Sequence, residues 1–128
     1  MRRARVCVWQ ALGELFDDHL SVTDVSGAGN NWAHGHEVYG PQHRSALLDS
    51  LRASTEACDS LQGFSVLHSM GGGTGSGLGT YTLELLADEY PRAARIATAV
   101  FPSESDDVIT SPYNTVRPPT PTRDARRQ

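Results

Sequence analysis

Seven residues between positions 71 and 77 have the composition of a phosphate-binding turn. They read Gly-Gly-Gly-Thr-Gly-Ser-Gly and stand between an apolar stretch, Phe64 to Met70, and a helix-like stretch, Leu78 to Tyr90. Glycines let the backbone pass close to an anion through dihedral angles that a side chain would forbid, so several N–H groups converge on one phosphate. The helix that follows directs its positive end to the same point. This run therefore predicts a site for a phosphorylated ligand.

Two common phosphate motifs do not fit the run. The P-loop requires a lysine that reaches the terminal phosphates, whereas all 11 Lys and Arg residues of this chain are arginines. A lysine-dependent kinase or ATPase mechanism is excluded for that reason. The dinucleotide fingerprint needs glycines at positions i, i+2 and i+5. Here glycines recur at alternate positions from Gly71 to Gly79 instead.

The residues around the glycine run predict a strand, turn, helix and second strand. Phe64 to Met70 is short, apolar and bounded by glycine on both sides, as expected for a central parallel strand. Leu78 to Tyr90 is predicted to be a helix that ends at Pro91, and Arg95 to Phe101 a second strand. In such a unit the ligand binds where the carboxyl ends of the strands meet.

The flanking regions are less regular. Apolar spacing predicts an amphipathic helix over Pro41 to Leu61, in which Cys58 packs as a small apolar residue. A further helix over Ala11 to Leu20 and a short strand over Ser21 to Val25 are also predicted. The tail 116–128, rich in Pro, Thr and Arg, is expected to be disordered.

The glycine run, read with its flanks, resembles the signature loop of the tubulin family. Other segments resemble tubulin segments in the same order along the chain. Those segments are Gly27 to His36, similar to the loop at the terminal phosphate; Cys58 to Phe64, similar to the junction of the third helix and fourth strand; and Asp106 to Asn114, similar to the ribose-side loop. Within the family, His68-Ser69-Met70 and the spelling of Asp106 to Asn114 are most similar to epsilon-tubulin.

The resemblance begins near Leu12 and ends near Asn114. We therefore expect three parts: a segment 1–11 that does not match, a partial GTPase domain over 12–115, and the tail 116–128. The implied fold is α/β, a partial Rossmann-like parallel sheet with flanking helices in three layers. It is incomplete relative to the nucleotide-binding domain of tubulin.

The resemblance implies GTP, with Mg²⁺, as the ligand. Backbone N–H groups of the glycine run and the hydroxyls of Ser69 and Thr74 would hold the phosphates. Asp106 or Asp107 is placed to accept hydrogen bonds from the ribose, and Asp107 is the closer match to the family. If this aspartate only formed a turn, the loop would have the same sequence pattern. The predicted nucleotide-binding residues are Ala28, Gly29, Asn30, Ser69, Gly71, Gly72, Gly73, Thr74, Gly75, Ser76, Gly77 and Asp107.

No catalytic residue is predicted. In tubulins the acidic residue that activates water belongs to the neighbouring subunit, and this chain has no equivalent of it. The family implies a structural protein of the microtubule cytoskeleton, in the cytoplasm at the centrosome, centrioles or basal bodies, with other tubulin subunits or centriolar proteins as partners. Two alternatives stay open: a stand-alone nucleotide-dependent enzyme, and a truncated product that binds no nucleotide.

Composition limits the remaining possibilities. A formal charge of −4 and a pI near 5.6 argue against a general nucleic-acid binder. No apolar stretch approaches membrane-spanning length. Cys7 and Cys58 are too few for a disulfide framework, and the pair His34 and His36 has no third or fourth zinc ligand nearby in sequence. Neither a membrane nor a metal site is therefore expected.

Overall fold

The computed structural model describes residues 17, 20–103 and 108–116. The chain divides into two compact units, Met1–Gly27 with His43–Leu61, and Ala28–Gln42 with Gln62–Gln128. The first element is a π-helical turn, His34–Tyr39, which continues into helix α1 (Gly40–Glu56). Strand β1 (Gly63–Ser69) follows, and then a second π-helical turn, Thr74–Leu78, which continues into helix α2 (Gly79–Glu89). Strand β2 (Ala94–Val100) and helix α3 (Ser111–Val116) are the last described elements.

The second unit contains the predicted strand, turn, helix and strand. β1 and β2 are parallel neighbours, paired from Gly63 with Ala94 to Ser69 with Val100. Helix α2 joins them and packs on both strands, with Leu85 and Leu86 almost completely buried. A parallel sheet with flanking helices confirms the predicted α/β class. The carboxyl ends of both strands lie at one edge, where the glycine run begins.

One face of this sheet is uncovered. β1 alternates between exposed and half-buried side chains, and Leu67 is 75% exposed. Ile96 and Val100 lie on the same face of β2 as Leu67 does on β1, and both are also exposed. β1 is a parallel strand, as predicted, although among the described residues it has one neighbour, β2, and its Leu67 face is exposed. Within the described residues, α2 covers only the opposite face, which carries Phe64 and His68.

Helix α1 is shorter than predicted. It ends at Glu56, so Cys58 lies beyond the end of the helix and is exposed. The prediction that Cys58 packs as an apolar residue was wrong for this reason. Leu47, Leu48 and Leu51, on the apolar stripe of this helix, are half-buried.

The short strand predicted over Ser21 to Val25 is absent from the structure, since these residues have no regular secondary structure. The N–H of Val25 donates to the carboxylate of Asp24, which removes a donor that a β-ladder would use. The predicted helix over Ala11 to Leu20, apart from Asp17 and Leu20, and the tail after Val116 lie outside the described residues.

Candidate functional site

The glycine run turns directly from β1 into a helix. Gly71 and Gly72 form the bend, and the helical conformation begins at Gly73 and passes through the second π-helical turn into α2. The first N–H groups of any helix lack intrahelical acceptors. This bend therefore presents main-chain donors at the carboxyl edge of the sheet, where a phosphate is best bound.

Several glycines of the run allow two backbones to approach closely. A Cβ on Gly77 would lie 2.5 Å from the carbonyl oxygen of Trp32 and 2.7 Å from the nitrogen of His36. A Cβ on Gly73 would collide with the nitrogen of Asn31, and one on Gly35 would collide with the carbonyl of Gly73. The sequence assigned Gly73 and Gly77 to the anion alone. The structure shows that they also let the two π-helical turns pack against each other.

The loop before the first π-helical turn faces the glycine run. Gly29 and Asn30 both have left-handed backbone angles, with φ of 58° and 54°. The N–H of Ala28 donates to the hydroxyl of Thr74 over 3.4 Å. A Cβ on Gly72 would lie 3.8 Å from the side-chain oxygen of Asn30. The two segments that the sequence predicted as partners therefore lie side by side, with the exposed amide of Asn30 opposite Gly72.

A third segment, at the start of α3, connects the other two. The side-chain NH₂ of Asn114 donates to the carbonyls of Asn30 and Gly71, each over 2.9 Å. Thr110 donates its hydroxyl to the carbonyl of Asn30 over 2.8 Å, and Ser111 donates to Gly71 over 3.2 Å. Sequence reasoning gave no individual role to these three residues. In the sequence they were noted only as part of the longer segment that resembles the ribose-side loop.

The remaining predicted residues support the bend. The hydroxyl of Ser69 accepts a hydrogen bond from the N–H of Gly71 over 3.3 Å. Ser76 is fully buried, and both its N–H and its hydroxyl donate to the carbonyl of Gly72. The structure thus places Ser76 behind the bend, whereas Thr74 is exposed and Gly75 half-buried beside it. Asp107 lies outside the described residues.

Trp32 connects the helix that follows the Asn30 loop to the helix that follows the glycine bend. Its ring is buried and stacks on the imidazole of His36, with centroids 4.4 Å apart. The Nε2 atom of His36 lies 3.2 Å from a carboxylate oxygen of Glu84 on α2. Among the described residues, no group of three or more His, Cys, Asp or Glu side chains could hold a metal ion.

Comparison with known proteins identifies the family. The profile of the Tubulin/FtsZ family, GTPase domain, matches residues 6–118, so the match extends past both ends of the segment 12–115. The chain belongs to the tubulin/FtsZ family. This assignment agrees with the parallel βαβ unit and with the glycine bend at its carboxyl edge.

Individual relatives refine this picture. The chain is 57% identical over 105 residues to the tubulin epsilon chain of Mus musculus and 53% identical to that of Homo sapiens. It is 46% identical over 104 residues to the tubulin beta-6 chain of Gossypium hirsutum. These alignments cover 80 to 82% of this chain but only 22 to 23% of each relative. The chain is thus close to epsilon-tubulin and spans about a fifth of its length.

The structure also bears on the membrane prediction. No helix within residues 20–103 or 108–116 combines the length and the apolar character that crossing a bilayer requires.

Proposed function

We propose that this chain forms part of a GTP-binding site at the edge where the glycine bend meets the Ala28 to Asn31 loop. One observation carries the proposal: the Asn30 amide stands opposite Gly72, while the hydroxyl of Thr74 accepts from the N–H of Ala28. Main-chain donors of a helix start and an exposed amide then face the same space. That arrangement suits a chain of negatively charged phosphate groups.

The residue roles follow from this placement. The N–H groups of the bend from Gly72 to Gly75 would bind the inner phosphates, while the N–H of Gly71 donates to Ser69. Asn30 with Gly29 would contact the terminal phosphate. Asp107, which lies outside the described residues, would accept hydrogen bonds from the ribose hydroxyls by resemblance to the family. The preference for guanine is taken from the family and not from the residues described above.

Magnesium fits this site as an ion carried by the nucleotide. Mg²⁺ keeps several waters and is usually bound through phosphate oxygens and one or two protein ligands. The described residues offer no cluster of carboxylates around the bend. Bound Mg²⁺ would neutralise phosphate charge, and the chain itself would supply the amide donors and the shape of the site.

The wider role follows from the relatives. The two tubulin epsilon chains and the tubulin beta-6 chain support a role in the microtubule cytoskeleton of the cytoplasm, with other tubulin subunits as partners. We place that role at centrioles or basal bodies, with centriolar proteins as further partners. A fluorescent fusion should colocalise with a centriolar marker, and a diffuse signal in cells with intact centrioles would contradict this placement.

Equilibrium dialysis of the full chain against labelled GTP tests the nucleotide site. We expect saturable binding that unlabelled GTP displaces and that ATP displaces at least about tenfold less well, the ratio that 1.4 kcal/mol of discrimination gives. No saturable binding would favour the alternative of a truncated product. Steady release of phosphate by the chain alone would favour a stand-alone enzyme.

A further inference from the structure

We propose that Asn114 and Thr110 are positioning residues that hold Asn30 against the glycine bend and thereby set the preference for a nucleoside triphosphate over a diphosphate. The inference rests on the proposed nucleotide site and assigns two residues outside the predicted set. It concerns residues that follow β2, far in sequence from the loops that they contact.

The first support is the set of bonds made by one side chain. Asn114 is 4% exposed, and its Oδ1 accepts from the N–H of Trp32 over 3.0 Å. Its NH₂ group donates to the carbonyls of Asn30 and Gly71, each over 2.9 Å. A single buried carboxamide therefore joins the Asn30 loop, the start of the first helix and the glycine bend. It fixes the distance between the two loops that would enclose the phosphates.

The second support is the conformation of Asn30. Its φ of 54° is left-handed, a region that residues with a side chain adopt at a cost in energy. The carbonyl of Asn30 accepts from Asn114 over 2.9 Å and from Thr110 over 2.8 Å. Two donors on one carbonyl hold the peptide in this orientation. The same orientation keeps the Asn30 side chain exposed beside Gly72.

The effect on ligands should depend on the number of phosphates. The bend itself begins directly after β1 and is anchored by Ser69 and Ser76. It can bind the inner phosphates without Asn30. Only a terminal phosphate would reach the Asn30 amide, so loosening this residue should weaken triphosphate binding more than diphosphate binding.

Thr110→Val tests the proposal, because Thr110 is exposed and valine has the same shape without the hydroxyl. One neutral hydrogen bond lost should lower the ratio of GTP to GDP affinity about three- to tenfold. The affinity for GDP should change less than about twofold, which is below that range. Thr110→Ser, which restores the donor, should restore the wild-type ratio.

Thr115→Val is the matched control. It removes a hydroxyl from the short helix that follows Thr110, but that hydroxyl donates to the carbonyl of Ser111 over 2.7 Å and so does not hold the Asn30 carbonyl. We expect an unchanged ratio of GTP to GDP affinity.

Asn114→Asp should lower this ratio further than Thr110→Val does. The aspartate keeps the acceptor for the N–H of Trp32, but it replaces the NH₂ donor with an oxygen that faces the carbonyls of Asn30 and Gly71.

The outcomes separate this inference from the proposed function. Wild-type protein that binds neither nucleotide would overturn both. Wild-type binding together with an equal loss for GTP and GDP in Thr110→Val, or with no loss, would overturn the positioning role alone. A drop in the ratio that Thr110→Ser does not restore would also overturn it.

Discussion

The indole N–H of Trp32 donates to the buried hydroxyl of Thr80 over 3.1 Å. This bond joins the helix that follows the Asn30 loop to the helix that follows the glycine bend. The hydroxyl of Thr80 in turn donates to the carbonyls of Ser76 and Gly77, at 2.8 and 2.9 Å. A buried polar contact therefore connects the two helices that follow the loops of the candidate site.

Thr80→Val should destabilise the fold. Valine keeps the shape but leaves the Trp32 donor buried without its acceptor, which costs about 1 to 3 kcal/mol. Thr80→Ser retains the hydroxyl and should recover most of the loss. The free energy of unfolding in urea measures the effect. A valine variant as stable as the wild type would show that the bond contributes nothing.

Gly77→Ala should also be destabilising, although alanine normally favours a helix by about 1 kcal/mol over glycine. The added methyl would lie 2.5 Å from the carbonyl oxygen of Trp32, so the two helices must separate. We expect a net loss of about 1 to 3 kcal/mol. Gly27→Ala is the control, because a Cβ there meets nothing within 4 Å. Thermal melting of both variants measures the difference. Equal melting temperatures for Gly77→Ala and Gly27→Ala would contradict the close approach at Gly77.

Leucines at opposite ends of the burial range should respond differently to truncation. Leu85→Ala removes a side chain that is 2% exposed, and we expect a loss of about 2 to 5 kcal/mol. Leu67→Ala, on the uncovered face of the sheet, should change stability by no more than about 0.5 kcal/mol. Equal losses in chemical denaturation would mean that Leu67 is covered in solution.

Asp24 should make stability depend on pH in the acid range. The N–H of Val25 is the main cause that holds the pKa of Asp24 below its ordinary value of 3.8; His43 also lowers it, and partial desolvation opposes both. Because the folded pKa is the lower one, the carboxylate stabilises the fold above pH 3.8, and this contribution is lost as the pH falls through the folded pKa.

Comparison with Asp24→Asn isolates this effect. The wild type should be the more stable protein at pH 6, and the difference should shrink towards zero as the pH falls below about 4, the ordinary aspartate range. Unfolding curves recorded from pH 6 to pH 2.5 provide the measurement. A difference that stays constant across this range would show that the carboxylate makes no such contribution.

The sequence predicted the parts of the fold that depend on local pattern. The apolar run after Gly63, the glycine bend and the helix that ends before Pro91 all appear within a residue or two of their expected positions. These features are set by residue type and spacing along a few turns of chain. The pairing between the Asn30 loop and the glycine bend is not local in sequence, and it was predicted only from the resemblance to a family pattern.

Other features depend on contacts that no local pattern reveals. Asn114 acts on Asn30, which is 84 positions away in the chain, so its role is visible only in three dimensions. The π-helical turns arise where Gly35, Gly73 and Gly77 let backbones meet. Cys58 was misplaced because α1 ends before the apolar stripe does.

The most direct test of the account is calorimetric titration of GTP into the wild type and into Gly72→Ala. A Cβ on Gly72 meets only the Asn30 side-chain oxygen, at the ordinary contact distance of 3.8 Å, so the variant should fold and melt like the wild type. The methyl would nevertheless occupy the space between the two loops. We predict saturable GTP binding by the wild type and at least about a tenfold weaker affinity in the variant, equivalent to 1.4 kcal/mol. Equal affinities in two equally stable proteins, or no binding by the wild type, would contradict the account.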